Sequence, residues 1–373
     1  MAAPEHSGPA GIEAVREAYE AGWIRTFRVC FADHHGLLRG RRVPAARVLD
    51  DPEEAYGFCS LAMSWDRRSE TSAAIPFGAL DSGSGDFYWR LDPASATICG
   101  WKAGEALAMG TTALPGGAPV PVDPRRVLAR LLAENFGDRG PTVRLSIPLW
   151  PEAEEPLRPG SAAPVPTRIV RGLEASGYPL LGLGPDPGGA WQTLTLDYVG
   201  ALAAADAAVV ARTAGIEIAG ALAPGGAAME IEADLRRQCP DAETVEARLA
   251  DLCLLLRPTV ESYASGARPG PVSAVRVDGS RLRCRLASGD ANPYLAVAGL
   301  LASVAVDAPS EDDPTFPTSL GEAAARFEQA AWLADWFEEE FRAHTTAMAR
   351  SAEAEPIAAQ VRTPLGIKSA VGA

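Results

Sequence analysis

A chain of 373 residues with 47% hydrophobic residues has material for a large core, in one or two domains, and wholesale disorder is excluded. Forty-eight acidic against 34 basic residues give a net charge of −14, which disfavours a duplex-binding surface and leaves room only for a local basic cleft. The six cysteines are scattered without a Cys-x-x-Cys pair, no signal-peptide pattern opens the chain, and the longest apolar run, near 294–306, is too short to span a bilayer.

Ile12, Val15, Tyr19 and Trp23 keep helical spacing, with Glu13, Arg16, Glu17 and Glu20 facing away, so an amphipathic helix is predicted first. Phe27, Val29 and Phe31 alternate as a strand, and Asp33-His34-His35-Gly36 turns the chain back into 37–43. Adjacent histidines point different ways and no third ligand stands nearby in sequence, so a surface turn is expected there and not a metal site. Pro119 to Asp123 is a Pro-rich connector, after which Asp123-Pro124 caps and opens a helix. Val143 to Trp150 reads as a buried strand, 151–166 is Pro-rich, and Leu194 to Leu222 reads as one long Ala-rich helix with Val199, Leu202, Val209 and Ile216 as its stripe.

The most informative stretch is Arg281 to Leu295. Leu282, Cys284 and Leu286 alternate with Arg281, Arg283 and Arg285, so three guanidinium groups share one strand face. Val275 and Val277 alternate upstream, and Asp278-Gly279 between the runs signals a hairpin. Asn292 then caps a helix whose first residue is Pro293 and whose body, to Val306, is almost wholly apolar. From Ser319 the chain reads as helical, with Ser319 and Glu322 forming a capping box, and Glu338-Glu339-Glu340 reads as a solvated helix face.

These segments resemble the glutamine synthetase family. The late signature of that family runs Arg-x-Glu-x-Arg, then Asp, then Asn-Pro-Tyr-Leu; here Arg281 and Arg285 match the arginines and Asn292-Pro293-Tyr294-Leu295 match the rest. The opening pattern is matched by Asp33, Gly36, Arg39, Gly40, Val43 and Pro44, and the family-like "D-P-R-x-V-L" by Asp123 to Leu128, with Ala204-Ala205-Asp206 in the long helix. The resemblance implies an α+β fold with two parts. Residues 1–120 would form a small β-grasp domain, and 121–373 a larger domain with a curved antiparallel half-barrel sheet flanked by helices.

Family members join ammonia or an amine to glutamate, using ATP and divalent ions held by carboxylates and a histidine. At the matching positions this chain has Arg144, Ser146, Gly184, Gln192 and Arg283, and no histidine lies between His35 and His344. Ser265 and Ser288 stand where the family has an Arg and an Asp. A carboxylate about 4 Å from a divalent ion attracts it by roughly 8 kcal/mol at an effective dielectric near 20, and a guanidinium repels it by as much. The expectation is therefore a degenerate member with no metal site and no confident catalytic residue, acting as a structural or regulatory partner or a small-anion binder. Arg144, Arg281, Arg283 and Arg285 would either converge on an anion or pair with acids of a neighbouring subunit. The alternative is an ATP-dependent glutamate–amine ligase with a rebuilt site; ATP and Mg²⁺ are expected cofactors only in that case. A ring-type homo-oligomer, or a hetero-oligomer with an active paralogue, a cytoplasmic location, and no nucleic-acid or membrane partner complete the reading.

Overall fold

The computed structural model describes residues 11–67, 69–70, 75–78, 85–137, 140–149, 164–178, 180–185, 192–219, 227–264, 274–305 and 315–354. Helix α1 (Gly11–Glu20) precedes β1 (Ile24–Ala32), β2 (Leu38–Pro44), α2 (Ala45–Asp50), β3 (Tyr56–Cys59), β4 (Asp86–Leu91), β5 (Thr97–Ile98) and β6 (Gly104–Ala113). These strands form one sheet in the order β2-β1-β6-β4-β3, with β5 on β6; β1 and β6 run parallel. Period-two alternation divides the two central strands between two cores. Phe27, Val29, Phe31, Ala106 and Ala108 join Phe87 and Trp89 on one side, while Cys30, Ala32, Leu107 and Met109 face the larger core on the other. The apolar stripe of α1 ends at Tyr19. Gly22, at φ 78°, stops the helix, and Trp23 is 72% exposed, contrary to the predicted stripe.

The larger part comprises α3 (Pro124–Asn135), β7 (Thr142–Pro148), α4 (Val165–Ala175), β8 (Leu180–Pro185), β9 (Gln192–Leu196), β10 (Val199–Gly200), α5 (Ala201–Ala219), β11 (Ala228–Asp234), α6 (Ala242–Asp251), α7 (Cys253–Leu256), α8 (Val260–Ala264), β12 (Val275–Asp278), β13 (Arg281–Ser288), α9 (Pro293–Ala305), α10 (Leu320–Gln329) and α11 (Glu339–Glu353). Its sheet runs β12-β13-β11-β7-β9-β8 with β10 on β7, every pair antiparallel. The apolar face of the sheet and the buried helices α5 and α9 share one core. The predicted long helix starts only at Ala201. Upstream, Leu194 and Leu196 are buried and alternate with Thr193 and Thr195, a β-branched period-two pattern that makes β9. The hairpin and its Gly279 turn (φ 61°), the Asp123 cap of α3 and the Asn292 cap of α9 form as expected.

The family-like segments meet in the interior. Arg125 Nε and Nη2 donate to the two Asp206 oxygens at 2.9 Å each, Tyr294 Oη donates to Asp206 at 2.6 Å, and Arg125 also reaches Asp92. Asn292 Nδ2 donates to the carbonyls of Asp33 and His34 at 3.1 and 3.0 Å. The His34-His35 turn is therefore no surface turn. It is pressed onto the start of α9, and His34, 6% exposed, packs edge-on to the buried His344 ring of α11 at 5.4 Å. Glu338 is likewise not merely solvated, since it clamps Arg126 with two 2.8 Å bonds, while Glu339 and Glu340 stay exposed. Among the described residues, no helix is long and apolar enough to cross a membrane.

Candidate functional site

Antiparallel register carries one polar stripe across the larger sheet. On β7, Arg144 and Ser146 stand away from the buried Val143, Leu145 and Ile147. Arg144 pairs in register with Glu232 of β11, and Glu232 with Arg283 of β13; Ser146 lies opposite Glu230 on one side and Thr195 on the other. Gly184 of β8 lies opposite Thr193. Residues directly opposite in a ladder share a face. Arg144, Ser146, Gly184 and Arg283 therefore share one face, with Arg281 and Arg285 alongside.

Gln192 does not join them. It has the parity of the buried Leu194 and Leu196, whereas Thr195 Oγ1 lies 3.2 Å from Ser146 Oγ on the polar face. A one-residue difference in register exchanges the faces of a strand, and on this face the place beside Gln192 is taken by Thr193, opposite Gly184. Ser265 lies outside the described residues.

The acids that partner these arginines come from β11 of the same chain. Glu232 receives Arg283 Nε at 2.8 Å, Arg144 Nη1 at 3.2 Å and the Tyr198 hydroxyl at 3.1 Å. Arg285 Nε bonds Glu230, which also lies 3.5 Å from Arg283. Arg281 is only loosely paired, 4.0 Å from Asp234, and its side chain is 70% exposed. The Arg144 guanidinium lies 4.2 Å over the Tyr198 ring and 3.7 Å from Asp197. Partial burial works to raise the Glu232 carboxyl, but the bonds and charge of Arg283, with Tyr198 and Arg144, outweigh it and hold the carboxyl below its ordinary value; Arg283 is raised in return.

These arginines thus find partners within their own chain, on a strand of the segment that contains no histidine. Met229-Glu230-Ile231-Glu232-Ala233-Asp234 alternates apolar and acidic residues, a strand signature that places both glutamates on one face. Tyr198 carried no comparable signal.

These groups do not fit a divalent ion. Hard cations need several free oxygen ligands, and here the two glutamates are engaged by three guanidinium groups. Among the described residues no cluster of three or more His, Cys, Asp or Glu side chains is placed to hold a metal. A second polar knot lies at the end of β13, where the buried Asp290 accepts from Thr259 at 2.6 Å, Ser262 at 3.2 Å and Ser288. Ser288, at the family's Asp position, is thus tied to an aspartate two residues on.

No protein-family model matches the chain. A curated relative, gamma-glutamylethanolamide synthetase GlnA4 of Streptomyces coelicolor, is 26% identical over 436 residues, covering 93% of each chain. Among solved structures, a novel glutamine synthase homolog superposes with a TM-score of 0.73 at 21% identity, over 89% of this chain and 94% of that one. GmaS without ligand gives 0.69 at 20% identity, over 94% and 98%. By its sequence relationship and by its fold, this chain is glutamine-synthetase-like.

Proposed function

We propose that this protein is a glutamine-synthetase-like chain without metal-dependent ligase chemistry, serving as a structural or regulatory subunit in a homo-oligomer or beside an active paralogue. One observation carries the reading: Glu232 is held at once by Arg144, Arg283 and Tyr198, so the sheet face is neutralised from within. In the family's reaction, positive charge must sit on the transferring phosphoryl group. Here the positive charge is spent on glutamates of the same sheet, and a divalent ion entering would meet the repulsion of several guanidinium groups. The same engagement argues against a free anion site at these arginines, Arg281 excepted.

A second reading rests on the named relative, which is an amide-forming synthetase by its name, and on the two carboxylates of β11. It makes the chain an ATP-dependent glutamate–amine ligase in which Glu230 and Glu232 change partners when nucleotide binds. Titration calorimetry of the full chain with ATP and Mn²⁺ or Mg²⁺ separates the two, together with ADP release in the presence of glutamate and ethanolamine. The first reading expects no metal-dependent nucleotide binding and no turnover; either one establishes the second reading in its place.

A further inference from the structure

Away from the polar stripe, a small cavity lies where the N-terminal turn meets the β13–α9 junction. Its walls include His35, Leu37, Arg67, Pro148, Arg212 and Asp290, and it has room for an occupant of about the size of one water molecule. The turn comes this close because Gly36, at φ +70°, has no Cβ. A Cβ there would meet Pro293 Cδ at 2.9 Å and Arg212 Nη1 at 3.1 Å.

The charges around the cavity are unevenly matched. Arg212, 8% exposed, donates to the carbonyls of Gly289 and Ala291 at 2.7 and 2.5 Å, yet it makes no ion pair among the described residues. Carbonyl oxygens satisfy its N–H groups without cancelling its charge, and an uncancelled buried charge is strongly disfavoured. The one carboxylate on the wall, Asp290, is already shared among Thr259, Ser262, Ser288 and Arg67, the last at 3.4 Å. Arg67 has a second acid, Glu261, at 3.9 Å, whereas Arg212 is attracted by Asp290 and Asp33 from beyond ion-pair distance. His35 adds a further unused group: its Nε2 is shut off from solvent and has no hydrogen-bond partner among the described residues.

We propose that this cavity binds a single monatomic monovalent anion, chloride in ordinary solution, between the guanidinium groups of Arg212 and Arg67 and the ring N–H of His35. Such an ion supplies a counter-charge in contact with Arg212, which Asp290 and Asp33 attract only from a distance, and fits a space too small for phosphate or a carboxylate-bearing metabolite. Leu37 and Pro148 strip its hydration and leave selection to charge and size. Burial, with Arg67 and Arg39 nearby, lowers His35 to about 3, so its ring is neutral and offers one N–H. Because His35 and Leu37 belong to the N-terminal turn while Arg212 and Asp290 belong to the larger part, the ion ties the two together.

The test uses the full chain in chloride-free buffer at fixed ionic strength, titrated with sodium chloride, sodium bromide or sodium phosphate against a gluconate background. Chloride and bromide should raise Tm with saturation and phosphate should not, and bromide-soaked crystals should show an anomalous peak among His35, Arg67 and Arg212. Arg212→Met should abolish the saturable rise, and His35→Phe, which spares every ion pair, should raise the half-saturating concentration on the order of tenfold, one bond's worth. An equal response to all anions, a bromide peak absent from the cavity, or an undiminished halide response in His35→Phe overturns the assignment. Should Arg212→Met fail to fold, the His35→Phe titration and the bromide map still decide it.

Discussion

Two clusters of ionic side chains divide the labour in this protein. Arg125, Asp206 and Tyr294 form a dry knot joining α3, α5 and α9, and Asn292 fastens the N-terminal turn beside it. Arg144, Glu230, Glu232, Arg283 and Arg285 form a second cluster on a sheet face that solvent reaches. The first is built from residues that carry the resemblance to the glutamine synthetase pattern, and in the second only Arg285 does so. The difference shows what the resemblance attaches to. Buried pairs whose loss strands a charge hold the frame, whereas a half-exposed face tolerates exchange of one set of charges for another provided the sum stays near neutral.

The sharpest way to break the comparison is Asp206→Ala, which leaves the Arg125 guanidinium and the Tyr294 hydroxyl without their shared acceptor. A loss of about 3–5 kcal/mol is expected in urea unfolding. A loss no larger than that of a surface pair would remove the distinction between the clusters.

Acid should act next most strongly, through the junction that the frame pins down. His34, His35 and His344 are each lowered to about 3 by burial first, with neighbouring charge contributing. Their folded pKa lies below the unfolded value near 6.5, so the unfolded chain binds more protons between those limits. Their contribution is complete above about pH 6.5 and is lost as pH falls toward 3, with a slope of about 1.4 kcal/mol per pH unit for each ring. His344→Phe should flatten the acid limb measured by chemical denaturation at a series of pH values, and an unchanged slope would refute neutral burial of that ring.

Glu232→Gln probes the exposed face. It keeps shape but weakens bonds to Arg283, Arg144 and Tyr198, and a loss of about 1–3 kcal/mol is expected. Because Glu232 is held below its ordinary value, its share of stability is present above the usual carboxylate range and disappears as pH falls through the lowered folded value. The variant should therefore be weaker than the parent at neutral pH and converge with it in acid; a constant gap counts against the ion-pair account. The smallest effect belongs to Glu338→Ala, which frees the rim-lying Arg126 at a cost of about 0.2–1 kcal/mol in the same assay.

Much of the frame was legible in the residues. The Arg281–Leu295 hairpin-to-helix passage, the Asp123 and Asn292 caps and the β1 alternation all follow from local rules, because turn chemistry and period are properties of neighbouring residues. Failures occurred where a local pattern had two readings. The Leu194–Leu222 stretch has helical composition throughout, and only the buried Leu194 and Leu196 in the sheet show its first turn to be strand. Trp23 kept helical spacing but lies beyond the glycine that ends α1. At the candidate site, the family resemblance pointed to Arg144, Ser146, Gly184 and Arg283, which share a face, and to Gln192, which lies on the other, because a register of one residue cannot be read from a strand alone.

The sequence by itself determined that three arginines share a strand face and that an apolar helix follows Asn292. Which charges those arginines would meet was decided only by the tertiary structure. Strand order places β11 between β7 and β13, and so brings Glu230 and Glu232 to side chains more than 50 residues away, Glu232 being separated from Arg283 by 51 and from Arg144 by 88. The same holds for the burial of the His34-His35 turn, which no local pattern announces and which depends on Asn292, more than 250 positions downstream, closing over it. Local chemistry sets the face a side chain occupies, but its partner is chosen by chain topology, and it is the partner that fixes whether a charge is spent or available.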